Sequence, residues 1–230
     1  MVFYQVITLD GPVGVGKSAV ARTLARRLGY RHIDTGAMYR AVTLAAMQRH
    51  IDLHNPEALE NLARDCEIQL LYHGDDLTIL LNGQDVTLDI RDPEVSKNTS
   101  PVADTPGVRE KLVSLQRSLG LQGPSVLEGR DISTVVFPDA FWKFYLDASL
   151  EERTRRRVLQ LRDAGKTACF EETLKAVHYR DSRDCSRSYG PLLIAPDAIV
   201  IDTTTLSEDD VIRLILVFIH YIPVHPGENS

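Results

Sequence analysis

The chain has 230 residues, 43% of them hydrophobic and 25% charged, with a formal net charge of −6. That length fits one substantial domain carrying small insertions, and the composition is that of a folded globular protein rather than a disordered one. The net negative charge offers no attraction for nucleic acid or an anionic membrane, so neither is expected as a partner.

The N-terminal run from Phe3 to Leu9 is β-rich and ends at Asp10, with no basic segment ahead of it of the kind a signal peptide carries. A Gly-rich turn follows. From Lys17 to Leu28 the apolar residues Val20, Leu24 and Leu28 repeat at helical spacing, and Gly29 stops the helix. A second helix is expected from Gly36 to Gln48. A third begins at Asn55, a good cap, with Pro56 in the first helical position, where its missing N–H costs nothing.

From Cys66 the apolar period shortens to that of strands, through Ile68, Leu70, Leu77, Ile79 and Leu81, then after Asn82-Gly83 through Val86 and Leu88. Asn-Gly between two apolar runs is a hairpin signal, and a three-stranded antiparallel insertion over about 66–90 is predicted. Thr105-Pro106 opens another helix with Val108, Leu112, Leu115 and Leu119 on one face. Ser125 to Leu127 and Trp142 to Leu146 suit buried parallel strands. Ser149 and Glu152 read as a capping box for a basic helix containing Arg153, Arg155, Arg156 and Arg157. A long helix around Phe170 to Ser188, a strand from Ala198 to Ile201 and a helix capped by Ser207 complete the pattern. Strands alternating with helices imply a parallel sheet covered on both faces.

The stretch Leu214 to Ile222 is too short to span a bilayer and is interrupted by His220. Cys66, Cys169 and Cys185 form no close-spaced pair, which fits reduced thiols in a cytoplasmic protein.

Gly11-Pro12-Val13-Gly14-Val15-Gly16-Lys17-Ser18 matches G-x-x-x-x-G-K-[ST] between a predicted strand and a predicted helix, the context this motif requires. Its glycines let backbone N–H groups face phosphate oxygens at a helix N-terminus. Lys17 would neutralise the β- and γ-phosphates of a nucleoside triphosphate, and Ser18 would ligate Mg²⁺. Thr35 and Arg40 suit a phosphate, although a capping threonine and a solvated arginine explain the same residues. Asp104-Thr105-Pro106-Gly107 has the D-x-x-G spacing of a GTPase switch, but it precedes a helix start and no N-K-x-D segment accompanies it.

The P-loop, then IDTGAMYRA, SPVADTPGVREKL with Gln116-Arg117, EGRDISTVVFPDAFWKFYLDAS and RDSRDCSRSYGPL follow one another in the chain. In that order they resemble the bacterial cytidylate kinases. The resemblance runs to about Ile222 and includes the three-stranded insertion, which similar nucleoside monophosphate kinases lack. It implies a P-loop kinase with a parallel sheet core and a helical lid at about 155–170. Residues 1–222 would form a single domain, 66–90 a CMP-binding insertion and 223–230 a flexible tail.

The resemblance further implies that ATP, with Mg²⁺, donates its γ-phosphoryl group to CMP or dCMP, and that the chain acts as a monomer. Gly11, Pro12, Val13, Gly14, Val15, Gly16, Lys17, Ser18 and Arg157 would hold ATP. Thr35, Arg40, Arg130 and Arg187 would hold the CMP phosphate beside Tyr39. Ser100, Arg109 and Asp131 would face the cytosine, and Arg180 and Asp184 the sugar. Lys17, Arg130 and Arg187 would be catalytic. Two positions depart from the family pattern: Ser133 replaces a usual glycine, where a positive φ is expected, and Val13 replaces a smaller residue. A kinase for UMP, AMP or a metabolite such as shikimate is the nearest alternative, and a nucleotide-dependent switch module is one of a different class.

Overall fold

The computed structural model describes residues 3–74 and 76–221. Five parallel strands, β1 (Phe3–Asp10), β2 (Arg31–Asp34), β6 (Ser125–Glu128), β7 (Ala140–Asp147) and β8 (Ile199–Asp202), lie in the order β2-β6-β1-β7-β8. The chain leaves β1 toward β2, returns to fill the gap with β6, and then continues on the other side of β1. The strand order therefore reverses beside β1, where open parallel sheets bind their ligands at the C-terminal ends of the strands. Leu9 lies opposite Glu128 on one side and Phe144 on the other, and Asp34 lies opposite Glu128. This register gathers Asp10, Asp34 and Glu128 at one edge.

Side chains alternate across a strand, so the sheet separates two apolar layers. Ile7, Leu9, Val126 and Phe144 pack with α1 (Lys17–Leu28) and α8 (Glu208–Tyr221). Val6, Ile33 and Leu127 pack with α2 (Thr35–Gln48), α3 (Pro56–Asp65) and α5 (Pro106–Gly120). The alanines of α2 let that helix lie buried among its neighbours, because a small side chain permits close helix approach on several sides.

The insertion is an antiparallel sheet of β3 (Ile68–His73), β4 (Asp76–Leu81) and β5 (Gln84–Asp85). Asn82 at φ 50° and Gly83 at φ 79° make its tight turn, the left-handed pair that an Asn-Gly hairpin requires. The third strand is shorter than the sequence pattern suggests: only Gln84 and Asp85 pair, Val86 is buried and Leu88 is 79% exposed. The Tyr72 hydroxyl donates to the His32 carbonyl at 2.9 Å, tying the insertion to β2.

Three local expectations are corrected. Residues Pro93–Asp104 form a helix, α4, that the sequence reading passes over. The Asp92 side chain accepts from the Glu94 N–H with Pro93 in the first position, the same cap logic as at Asn55. α2 starts at Thr35 and is capped by Asp34, which accepts from Ala37 N–H at 2.9 Å. At α6 (Leu150–Asp163) only half of the capping box forms, since Ser149 accepts from Glu152 N–H but the Glu152 carboxylate turns to Arg155 and Arg156. α6 packs against α7 (Phe170–Ser186), and residues 164–169 join them. Among the described residues no helix is long and apolar enough to cross a membrane. The expected tail, 223–230, lies outside the described residues.

Candidate active site

The P-loop leaves β1 and winds into α1. Gly14 and Gly16 hold φ of 85° and 94°, values that L side chains rarely adopt. A Cβ at Gly14 would stand 2.8 Å from the Arg153 carbonyl, whereas at Gly16 it would meet nothing within 4 Å, so the loop interior is open there. Gly11, where a Cβ would run into the Leu146 carbonyl, lies against β7. Lys17 is buried and donates to the Pro12 carbonyl at 2.6 Å. Burial, then the neighbouring Arg130, pulls its pKa well below the ordinary lysine value. An amine so placed gains most from an arriving polyanion.

A cavity of about 280 Å³ opens in front of this loop. Val13, Gly14, Gly16, Lys17, Ser18, Thr35, Tyr39, Arg40, Ser100, Arg109, Arg130, Asp131, Arg157, Arg180, Asp184 and Arg187 all line it. Gly11 and Pro12 stand outside its wall, and Val15 instead faces a shallower depression bounded by Arg156 and Thr203 to Ser207. Seven cationic side chains and four carboxylates line the cavity, an excess of three positive charges in a chain whose net charge is −6. A cleft of one sign concentrates ligands of the other, here an anionic one.

The carboxylates are already engaged. Asp34 pairs with Arg40 at 2.8 Å. Asp184 holds Arg130 at 2.8 Å and Arg187 at 2.5 Å, and these guanidiniums keep its pKa below the usual value despite burial. Arg180, expected as its companion on α7, is not paired with it by a salt bridge; the buried Arg180 Nε has no hydrogen-bond partner. Burial, then Arg130, lowers the Arg180 pKa to about 10. Arg157 donates to the Gln160 side-chain oxygen at 3.4 Å.

At the far end Arg109 and Asp131 form a buried ion pair. The Arg109 guanidinium lies 5.6 Å from the ring centres of both Tyr39 and Tyr189. Gly190, at φ 63°, packs directly on the pair, so any side chain there would strike both partners. Burial pushes the Asp131 carboxyl up to about 6 against the pull of Arg109.

Ser133, expected at a positive φ, is not among the residues in that region. Its N–H and that of Ile132 donate to Asp10 at 2.7 and 2.9 Å, and its hydroxyl also donates to Asp10. Asp10 therefore anchors the turn that carries Asp131 and is spent there. Asp104 ends α4 rather than a buried strand, pairing with Arg183 and with Arg187 at 2.7 Å, which removes the support for a GTPase switch. Of the basic helix, Arg153 is buried against Asp181 and the Val13 carbonyl, Arg155 is an exposed partner of Glu152, and Arg156 reaches the Thr203 carbonyl at 2.6 Å.

Glu128 was not singled out in the sequence. It is buried, accepts from the Ser18 hydroxyl at 2.7 Å and lies 2.9 Å from His32 Nε2. Its place after an apolar strand, beside Gly129-Arg130-Asp131, was the available signal. Glu128 and Ser18 are hard oxygen groups, and among the described residues no cluster of three or more His, Cys, Asp or Glu could hold a metal. The hydroxyl of Ser18 and the carboxylate of Glu128 are the oxygen donors that Mg²⁺ takes, alongside waters and phosphate oxygens. The Gly14–Gly16 cradle and the free side of Lys17 fit a triphosphate.

The cytidylate kinase family model matches residues 7–221. A cytidylate kinase of Citrifermentans bemidjiense is 46% identical over 209 residues, covering 91% of this chain and 90% of its own. One from Desulforamulus reducens is 44% identical over 219 residues, covering 95% and 98%. A solved structure of an uncharacterized Eubacterium ventriosum protein is 12% identical with a TM-score of 0.50, covering 93% of this chain and 97% of its own, a likeness of fold alone. With the family model matching nearly the whole chain, the chain belongs to the cytidylate kinase family.

Proposed function

We propose that the chain transfers the γ-phosphoryl group of ATP to CMP or dCMP, giving ADP and CDP or dCDP. A phosphate oxygen of CMP forms the new bond to the γ-phosphorus as the bond to the ADP oxygen breaks. The observation that carries the reading is the buried Arg109–Asp131 pair in the same cavity as Lys17. A carboxylate accepts from the cytosine amino group while a guanidinium donates to the ring nitrogen or carbonyl. Uracil presents a carbonyl in place of the amino group and an N–H in place of the bare ring nitrogen.

Phosphoryl transfer asks the protein to align two anions and to neutralise spreading charge. Lys17 and the P-loop N–H groups take the triphosphate, and the depression beside Val15 offers room for the purine. Arg40, Arg130 and Arg187 take the CMP phosphate, Arg157 serves the ATP side, and Arg180, whose Nε has no hydrogen-bond partner, faces the sugar with Asp184. Mg²⁺, when bound through Ser18, would neutralise the β- and γ-phosphates. The segment at about 155–170 closes as a lid and excludes water, which suppresses ATP hydrolysis. The insertion serves the CMP side, supported by its Tyr72–His32 tie to the strand that leads into Asp34 and Thr35. We further propose that the enzyme works in the cytoplasm as a monomer.

ADP release measured with CMP, dCMP, UMP and AMP as acceptors tests the reading. CMP or dCMP should give the highest kcat/KM, and preference for UMP or AMP, or no ADP with any acceptor, overturns it.

A further inference from the structure

Asp104 does not line the cavity, yet it joins the two helices that wall it. α4 contributes Ser100 and Ala103 to the lining, and α7 contributes Arg180 and Asp184, with Arg187 just beyond its end. From behind that wall Asp104 accepts from Arg187 Nε at 2.7 Å and from Arg183, one turn earlier on α7. Arg187 in turn donates to Asp184, which also holds Arg130. The result is an alternating row, Arg183–Asp104–Arg187–Asp184–Arg130, of three guanidiniums and two carboxylates.

We infer that Asp104 is a positioning residue for phosphoryl transfer, holding Arg187 from behind while Asp184 holds both Arg187 and Arg130. The inference rests on the kinase reading above. Arg187 presents Nε to Asp104 and one Nη to Asp184, which leaves its remaining N–H groups for the cavity that Arg187 and Asp184 line. Without the Asp104 charge, Asp184 alone would face two guanidiniums competing for one carboxylate, and both phosphate-facing arginines would lose their fixed direction. Charge-assisted, two-sided hydrogen bonding sets an arginine plane as well as its position. An aspartate at a helix C-terminus is otherwise unfavourable, because the carboxylate faces the negative end of the helix dipole, so its place here calls for partners such as these.

The test compares wild type with Asp104→Asn, which keeps the shape without the charge, and with Asp104→Glu, which keeps the charge. Steady-state kinetics are run in both substrates and thermal unfolding in parallel. Asp104→Asn should lower kcat/KM for CMP about tenfold, leave KM for ATP within about twofold, and remain folded at the assay temperature. Asp104→Glu should recover most of the loss. An Asp104→Asn enzyme within twofold of wild type overturns the inference, as does an equal loss toward both substrates or a loss that follows the melting temperature. If wild type itself fails to phosphorylate CMP, the kinase reading fails instead, and the two failures are distinct.

Discussion

Arg109 and Asp131, 22 residues apart in the chain, meet as an ion pair with side chains only 2% and 7% exposed. Burying a pair this far from water is costly unless further partners complete it. Arg109 also donates to the Ala103 carbonyl at 3.2 Å, while its Nε lacks a partner, so the pair is held in place but not saturated. Unsaturated polar groups at the end of a cavity are what a base-reading site offers its ligand.

Asp131→Ala should lower kcat/KM for CMP much more than for UMP and narrow the ratio between them. A site built to hydrogen-bond one edge rejects its mismatch by on the order of 10⁴ when buried groups are left unpaired. Steady-state kinetics on both nucleotides decide it. An unchanged ratio removes Asp131 from the base-reading role.

The elevated Asp131 pKa carries a stability consequence. The unfolded carboxyl ionises near 3.8 and the folded one near 6. The folded chain holds a proton that the unfolded chain has released between those values. The stability contributed by the protonated group is therefore present below about pH 4 and lost as pH rises through 6, by up to about 3 kcal/mol. Urea unfolding of wild type and Asp131→Asn from pH 4 to 7 should show wild type losing ground across that window. A constant difference between the two would mean that the carboxyl ionises alike in both states.

Lys17→Ala should reduce transfer by at least about 10³ and leave the fold intact, since its cation acts on charge that develops between the β- and γ-phosphates. Circular dichroism checks the fold and ADP release checks the rate. Near-normal turnover would contradict the P-loop assignment.

Ser133→Gly should destabilise this chain by about 2 kcal/mol. The substitution removes a hydroxyl donor to buried Asp10 and adds backbone freedom at a position that needs no positive φ. The urea midpoint of the variant reads this directly, and a midpoint at or above that of wild type would show that the position favours glycine.

Hydrogen exchange over 66–90 should slow when CMP binds, because the insertion is tied to β2 through Tyr72. Tyr72→Phe should weaken that response while the global midpoint changes little. Unchanged protection in wild type would separate the insertion from the CMP side.

The elements most legible in the sequence were those set within a turn or two of backbone. The P-loop, the Asn55-Pro56 and Ser207 caps and the Asn82-Gly83 hairpin each depend on φ, ψ and hydrogen bonds between residues three or four apart, and each took its expected form. α4 was equally local, through Asp92-Pro93, but Pro101 and the polar run around it hid the helical period. Partnership between charges was a different matter. Asp184, read together with Arg180 at the sugar, bonds Arg130, 54 positions away, and Ser18 bonds Glu128 across 110 positions. Glu152 left its capping role for two arginines, and Asp10 holds Ser133 across 123 positions. Backbone conformation is decided by adjacent atoms, whereas a buried charge must be neutralised by whichever opposite charge the sheet order brings within reach, and that order exists only once the strands have assembled.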